Sequence, residues 1–266
     1  MYQLRKGIGD RSAGLLTILA TQGKNIFTIR EANHLLSGNK NNIRNMLHNL
    51  VNTGWLQRLE RGRYLILPLE SEREPEYPLP QLIIASRLVE PYYISYRSAL
   101  DHYGYLKKRF RILFIATTKR KKDLSINGCE YRFITLSPHK FFGFKKVLLN
   151  GQLINMARKE KAILDCLDHL DLCEGIEGIA RPLQENGKEL SFTQLRDYAQ
   201  RMRNRAVIQR LGYLMELYDR GSFLDRDKLR KGISKSYTLL DNTGPKRGRY
   251  IARWKIRVNI NLGSGL

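Results

Sequence analysis

Residues 39–54 have the sequence NKNNIRNMLHNLVNTG, and the interpretation of the N-terminal part of the chain starts from this segment. Asn39 is a favourable helix N-cap, and Gly54 stands where a glycine commonly ends a helix. Apolar side chains recur between them at the spacing of one helix face, at Ile43, Leu47, Leu50 and Val51. The segment therefore predicts an amphipathic helix with one buried face and one polar face.

The segments on either side predict two more helices and a β-hairpin. An apolar stripe within residues 12–22 predicts the first helix, and Thr28 with Glu31 matches a capping box at the start of the second. Residues 55–66 have the pattern of two short strands around a turn. Three helices followed by a hairpin are typical of the winged helix-turn-helix, so we expect residues 1–70 to form a DNA-binding domain of that class.

The polar face of the third helix carries side chains suited to reading DNA. An Asn amide can pair with adenine in the major groove through two hydrogen bonds, and Arg can pair with guanine or reach a phosphate. The candidate recognition residues on this helix are Lys40, Asn41, Asn42, Arg44, Asn45, His48 and Asn49. The candidate contacts of the hairpin, or wing, with phosphates or the minor groove are Arg58, Arg61 and Arg63.

The alternative interpretation of this helix is an ordinary solvated face. An AT-rich genome enriches Asn and Lys throughout a protein, which would place asparagines here without a function. Arg outnumbers Lys by 28 to 19 in this chain, which weakens that explanation. DNA recognition is therefore the preferred interpretation of the polar face.

The chain of 266 residues carries a basic excess that extends beyond residues 1–70. Lys and Arg number 47 against 25 Asp and Glu, so the net charge is +22. The excess is +6 for residues 1–70, +5 for residues 71–180 and +11 for residues 181–266. It indicates a polyanionic partner, with nucleic acid as the first candidate. The 42% of hydrophobic residues argues against wholesale disorder.

Composition also predicts the cellular setting. The sequence shows neither a signal-peptide pattern nor a run of about eighteen apolar residues, so we expect a cytoplasmic protein with no membrane partner. The three cysteines, Cys129, Cys166 and Cys173, form no Cys-x-x-Cys pair. We therefore expect reduced thiols, with neither a zinc site nor a disulfide framework.

The remainder of the chain predicts a second domain. Residues 70–81 contain three prolines and a local acidic excess, which predicts a linker at residues 71–81. Residues 82–262 mix helical and strand patterns, with one long helical region from Ser191 to Tyr218. The predicted fold class is α+β, a winged helix-turn-helix followed by a mixed α/β C-terminal domain with a helical subregion.

Several short strings in this second domain carry a resemblance to a known family. They are YISYRSAL at residues 93–100 with Gly104, FFG at 141–143, EKAILD at 160–165, RLGYL at 210–214, and Leu240-Asp241 with Arg253-Trp254. In this order they resemble the AbiEi family, the antitoxins and transcriptional repressors of abortive-infection (type IV) toxin–antitoxin operons. The resemblance implies a winged-helix domain that binds inverted repeats upstream of its own operon. It also implies a nucleotidyltransferase-like toxin as functional partner, without requiring a stable complex, and assigns no residue roles in the C-terminal domain.

Catalytic patterns are weak throughout the sequence. Ser98, Asp101 and His102 share a helix face, but side chains on one helix point outward in parallel and do not converge as a triad requires. The acidic group Asp165, Asp168 and Asp171 with His169 is interpreted as a solvated face that pairs with Lys161 or Arg158 rather than as a metal site. Asp225 is interpreted as the N-cap of a helix. We therefore expect no enzyme, no metal and no cofactor.

Basic clusters outside the predicted winged helix are candidates for contacts with phosphates. These candidates are Lys119, Arg120, Lys121, Lys122, Arg201 and Arg205, with further runs at residues 107–111 and 246–249. Arg201 and Arg205 are predicted to share one helix face, and no stacking platform for bases is predicted. The alternative function is an RNA-binding module, or an RNA-directed enzyme, that uses this basic C-terminal surface.

Overall fold

The computed structural model describes residues 7–67, 81–106 and 111–262. The chain divides into two compact units, Met1–Pro80 and Gln81–Leu266. Most of the predicted linker, at residues 71–80, and the basic residues 107–109 lie outside the described residues.

The N-terminal unit contains three helices and a three-stranded antiparallel sheet. Its elements are α1 (Asp10–Thr21), β1 (Ile26–Thr28), α2 (Ile29–Leu35), α3 (Lys40–Asn52), β2 (Leu56–Glu60) and β3 (Arg63–Ile66), with the strand order β1-β3-β2. The predicted capping box is present, since the Glu31 N–H donates to Thr28 Oγ1 at 3.3 Å and the Thr28 N–H donates to Glu31 Oε2 at 2.8 Å. Asn39 caps α3 as predicted, accepting from the Asn41 N–H at 2.8 Å. Strand β1 escaped prediction because three residues are too short to show a strand pattern.

One hydrophobic core holds the helices of this unit in place. It contains Leu15, Leu19, Phe27, Ala32, Ile43, Leu47, Leu50, Leu56 and Tyr64. Ile43, Leu47 and Leu50 belong to the apolar stripe that the sequence of α3 predicts, and its fourth member, Val51, packs partly buried against the core. Because this stripe is buried, the opposite face of α3 is turned to solvent.

The C-terminal unit begins with a six-stranded mixed sheet and the helices around it. These elements are α4 (Gln81–Ser86), β4 (Tyr92–Ile94), α5 (Tyr96–His102), β5 (Ile112–Thr117), β6 (Leu124–Ile126), β7 (Cys129–Thr135), β8 (Phe144–Leu149), β9 (Gln152–Ala157) and α6 (Lys159–Asp168). The strand order is β6-β7-β5-β4-β9-β8. Strand β5 is parallel to β7 and β4 is parallel to β9, whereas the other neighbours are antiparallel.

The rest of the unit is helical and ends in a small second sheet. These elements are α7 (Glu177–Glu185), α8 (Phe192–Arg201), α9 (Arg205–Leu217), α10 (Phe223–Arg230), β10 (Thr238–Leu239), β11 (Arg249–Ile251) and β12 (Ile256–Val258). Strand β12 is central, parallel to β10 and antiparallel to β11. The mixture of helices and sheets in the two units agrees with the predicted α+β class.

The region from Ser191 to Tyr218 is helical as predicted, but it forms two helices, α8 and α9. The helix breaks between α8 and α9, where Arg203 adopts a left-handed backbone with φ 53° and Asn204 caps α9 by accepting from the Ala206 N–H at 2.9 Å. Arg201 therefore ends one helix and Arg205 begins the next. The two arginines do not share a helix face, contrary to the prediction.

Two further local predictions are also wrong: that the cysteines are reduced thiols, and that Asp225 is a helix N-cap. Cys166 and Cys173 form a disulfide, because a short 3-10 turn after α6 brings Cys173 back to the helix. In α10 the N-cap is Ser222 rather than Asp225, which occupies the third helical position of a capping box and accepts from the Ser222 hydroxyl at 2.8 Å.

Candidate nucleic-acid interface

The polar face of α3 is exposed along its whole length. All seven predicted recognition residues are exposed: Lys40, Asn41, Asn42, Arg44, Asn45, His48 and Asn49. The 13 residues of α3 give a helix roughly 20 Å long, and a helix fits the DNA major groove, which is about 12 Å wide. No acidic residue lies on α3, so its exposed charges are the cations Lys40 and Arg44.

Most of these side chains have free hydrogen-bonding groups. His48 Nδ1 and Asn52 Nδ2 are joined by a hydrogen bond of 3.1 Å. Among the described residues, the side chains of Asn42, Arg44 and Asn45 make no hydrogen bond and no ion pair with the protein. Their donors and acceptors are therefore available to an external partner.

An open groove of about 440 Å³ runs beside α3. Asn42, Asn45 and Asn49 line it from the helix, and Ser12 and Trp55 line it from the neighbouring elements. Spacings of three and four residues place these asparagines on one helix face. Three of the seven predicted recognition residues, Asn42, Asn45 and Asn49, therefore face this groove.

The three arginines of the β2–β3 hairpin have different environments. Arg61 is exposed at the turn, and Arg58 is exposed with a long hydrogen bond of 3.4 Å from its Nε to the Glu60 carbonyl. Arg63 is partly buried, and its Nε lies 2.8 Å from Glu60 Oε1. Arg58 and Arg61 can therefore reach a partner, while Arg63 stabilises the hairpin. A hydrogen bond of 2.8 Å from the Ile29 N–H to the Gly62 carbonyl attaches the turn to the start of α2.

The charge of Glu31 is maintained by its local contacts. Burial opposes its ionisation, but hydrogen bonds from the Thr28 backbone and from Lys24 outweigh this effect and lower the pKa of Glu31. The carboxylate therefore stays charged in the capping box, at the positive end of the α2 dipole.

The candidate phosphate contacts of the C-terminal unit do not form one cluster. Lys119, Arg120, Lys121 and Lys122 follow β5, and the Lys121 ammonium lies 5.3 Å from the centre of the Phe133 ring. Arg205 is exposed at the start of α9, and the exposed guanidinium of Arg201 lies 4.0 Å from the centre of the Phe142 ring, just before β8. Strand β8 is three positions away from β5 in the sheet, so these groups define separate surfaces.

The acidic residues of α6 are not the solvated face that the sequence predicted. Lys161 and Asp165 are fully buried and form an ion pair, as their spacing predicts. Ser95 Oγ donates to Asp165 Oδ2 at 2.6 Å and the Tyr93 hydroxyl donates to it at 3.2 Å. Burial and the nearby charge of Asp165 raise the pKa of Tyr93 well above its usual value. A substrate has no access to these groups, so they stabilise the fold.

The other catalytic patterns also have structural roles. Ser98 is buried, and its hydroxyl accepts from the Phe114 N–H at 2.8 Å, so it joins α5 to strand β5. Asp168 pairs with Lys140 at 2.6 Å. Within the part of the chain that the structure describes, no group of three His, Cys, Asp or Glu side chains is arranged to hold a metal ion.

Sequence reasoning missed one exposed aromatic pair. Tyr237 and Tyr250 expose 42% and 55% of their surface, and their ring centres lie 4.9 Å apart. Each ring has a cation beside it, Lys255 at 5.1 Å and Arg257 at 5.1 Å. The sequence predicts no stacking platform for bases here, and the structure adds that these two rings contact each other at the surface. The signal in the sequence is the combination of tyrosines and cations in the strand-rich segment after residue 236.

Comparison with known proteins supports the fold alone. No protein-family model matches the sequence, and no curated protein sequence matches it. The crystal structure of the RV2827C protein from Mycobacterium tuberculosis is similar, with a TM-score of 0.66 and 13% sequence identity over 96% of this chain and 92% of that chain. The similarity shows that the mixed helix-and-sheet fold of this chain also occurs in that protein. No helix among the described residues has the length and apolar character needed to cross a membrane.

Proposed function

We propose that the protein is a DNA-binding transcriptional repressor whose N-terminal unit is a winged helix-turn-helix. The observation that carries this proposal is the division of α3 into two faces. Its apolar stripe is locked into the core, and its opposite face exposes amides and cations with free hydrogen-bonding groups. A helix that is held rigidly and carries bidentate donors and acceptors is suited to reading base edges.

In the proposed complex α3 lies in the major groove. Asn45 and Arg44 contact bases, and Lys40 at the start of the helix contacts a phosphate. The β2–β3 hairpin acts as the wing, where the exposed Arg58 and Arg61 reach the backbone or the minor groove. The net charge of +22 adds the long-range attraction that brings the protein to DNA.

The resemblance to the AbiEi family supports a more specific role. In this role the protein binds inverted repeats upstream of its own operon in the cytoplasm and acts as the antitoxin to a nucleotidyltransferase-like toxin. A promoter fusion tests the first part, because repression should require the wild-type face of α3. Co-expression with the neighbouring gene tests the second part, since growth should be restored only if that gene encodes the toxin.

Binding to two duplexes tests the assignment of α3 directly. The full-length protein is titrated against its own upstream DNA and against a shuffled duplex of equal length. Each base contact is worth about 1–3 kcal/mol, so the double variant Arg44→Ala/Asn45→Ala should lower the preference for upstream DNA by about 30-fold or more. Affinity for that DNA should also fall by about 10³–10⁵ between roughly 50 and 200 mM salt if 6–10 phosphates are contacted.

A matched control separates base reading from charge. The double variant Arg181→Ala/Gln184→Ala removes one exposed cation and one exposed amide from α7 of the other unit. It should leave the preference for upstream DNA unchanged. If the Arg44→Ala/Asn45→Ala protein keeps the wild-type preference, α3 does not read the bases and the proposal is refuted.

A further inference from the structure

The small C-terminal sheet has one buried face and one exposed face. Trp254 and Ile256 are fully buried, and Trp254 Nε1 donates to Glu216 of α9 at 2.8 Å. Thr238 Oγ1 donates to Gln209 of the same helix at 3.0 Å. Because side chains alternate along a strand, Arg257 points away from α9, and its cross-strand partner Tyr250 lies on the same side.

The exposed face carries the C-terminal aromatic surface, defined by Tyr237, Tyr250, Lys255 and Arg257. The two rings meet edge to face, at 81° between their planes, and each exposes about half of its surface to solvent. Lys255 lies over one face of the Tyr237 ring and Arg257 over one face of the Tyr250 ring, and both cations are half-buried. Nothing in the core requires two exposed tyrosines here, and clustered exposed rings commonly mark a binding site.

The segment that forms most of this surface, residues 242–262, carries charges of one sign. Residues 242–262 contain no Asp or Glu and six basic residues: Lys246, Arg247, Arg249, Arg253, Lys255 and Arg257. Arg253 pairs with Glu216 at 3.0 Å, whereas the other five have no carboxylate partner among the described residues. The nearby Asp241 is buried and accepts hydrogen bonds from the Ile176 and Thr243 N–H groups at 2.7 Å, and it forms no ion pair with these cations, all of which lie in the described part of the chain.

We propose that the C-terminal aromatic surface binds single-stranded nucleic acid. Bases stack on the exposed faces of Tyr237 and Tyr250, and Lys255, Arg257 and Arg249 hold the phosphates between them. The rings favour a single strand over a duplex, since paired bases keep their faces stacked on one another and offer only phosphates. The rings also favour nucleic acid over an acidic protein segment, because carboxylates would pair with the cations but offer no flat group to stack on the rings. This site lies outside the N-terminal unit and goes beyond the proposed repressor function.

Fluorescence anisotropy with labelled oligo(dT) and oligo(rU) tests the proposal on the full-length protein. The oligonucleotides are about 15 nucleotides long, within the range of about 4–16 nucleotides covered by single binding modules. Tyr250→Ala should weaken binding by about 5- to 150-fold, the equivalent of one lost base stack. Tyr250→Phe keeps the ring and should bind as the wild type does.

The matched control is Phe223→Ala, which removes an exposed aromatic ring from α10 and should leave binding unchanged. Thermal melting shows that each variant is folded. Comparison of the oligo(dT) and oligo(rU) affinities shows which strand chemistry the surface prefers. The proposal is overturned if Tyr250→Ala binds as tightly as the wild type. It is also overturned if a duplex or polyglutamate of equal charge competes as well as the single strand does.

The two proposals fail separately in this assay. Arg44→Ala/Asn45→Ala should bind the single-stranded oligonucleotides as the wild type does, because those residues lie in the other unit. A loss of oligonucleotide binding in that variant would place the single-strand site on α3 and overturn the assignment to the C-terminal aromatic surface. Loss of upstream-duplex preference alone would leave the present inference intact.

Discussion

The variant Asp165→Asn isolates the contribution of one buried charge. It keeps the shape of the side chain and its ability to accept from Ser95 and Tyr93, but it leaves the Lys161 ammonium without an anion. Lys161 has no solvent exposure, so water cannot replace the lost partner. Breaking a buried ion pair from one side typically costs about 3–5 kcal/mol.

The expected change in melting temperature follows from the size of the C-terminal unit. This unit, Gln81–Leu266, has 186 residues. A unit of this size loses about 2–4 °C in Tm per kcal/mol, so Asp165→Asn should lower the Tm by about 6–20 °C. Lys161→Met in addition removes the orphaned charge and should recover most of the loss. Scanning calorimetry measures all three proteins under identical conditions.

An exposed ion pair of the same spacing is the control. Arg181 and Glu185 on α7 are also four residues apart, with the cation first, and both side chains are largely exposed. Glu185→Gln should cost no more than about 0.5 kcal/mol. If Asp165→Asn lowers the Tm no more than Glu185→Gln does, the buried pair does not carry the stability assigned to it. If Lys161→Met recovers nothing, the loss comes from the hydroxyl partners rather than from the charge.

Three more predictions concern packing and titration. Gly212→Ala would place a Cβ against the Trp254 ring and should lower the free energy of unfolding by about 1–3 kcal/mol. Gly14→Ala in α1 meets no atom and should raise that free energy by about 0.4–1 kcal/mol. Denaturant unfolding measures both. The lowered pKa of Glu31 contributes stability that is complete above its ordinary pKa of 4.5 and is lost as the pH falls through its folded value, which acid unfolding should detect. The raised pKa of Tyr93 contributes stability that is complete below its ordinary pKa of 10.0 and is lost as the pH rises, and phenolate absorbance should follow unfolding there.

Each of these three predictions has a result that would contradict it. Equal effects of the two glycine substitutions would contradict the close approach of Trp254 to α9. An acid-unfolding midpoint unchanged in Glu31→Gln would show that the capping-box carboxylate contributes nothing through its charge. An alkaline midpoint unchanged in Tyr93→Phe would assign the loss of stability at high pH to other groups.

The helix caps and the apolar stripe of the N-terminal unit were predicted correctly because their signals are local. The Thr28–Glu31 capping box and the Asn39 cap join residues two or three apart, and their partners are therefore visible in the sequence. The apolar stripe of α3 determines which of its faces is exposed, so the candidate recognition residues could be named in advance. The order of β1, β3 and β2 in the sheet did not follow from these patterns, since it depends on pairing across the unit.

The C-terminal unit shows what sequence patterns leave open. Lys161–Asp165 and Arg181–Glu185 have the same spacing, yet one pair is buried and the other is exposed. The difference arises because strand β4, which carries Tyr93, and the neighbouring Ser95 pack against α6 and close over it. The sequence of α6 alone does not show whether this pair is buried, because burial depends on contacts with residues about 70 positions away along the chain.

The C-terminal aromatic surface also depends on contacts between residues that are distant in the sequence. Its composition is visible in the sequence, since residues 237–262 contain two tyrosines and six cations with Asp241 as their one acidic residue. Tyr237 and Tyr250 become one surface only because β10 and β11 both flank β12. Local chemistry thus specified the polar face of α3 and the basic character of the whole chain. Pairing and packing over long separations decided which charges are buried and which rings meet at the surface.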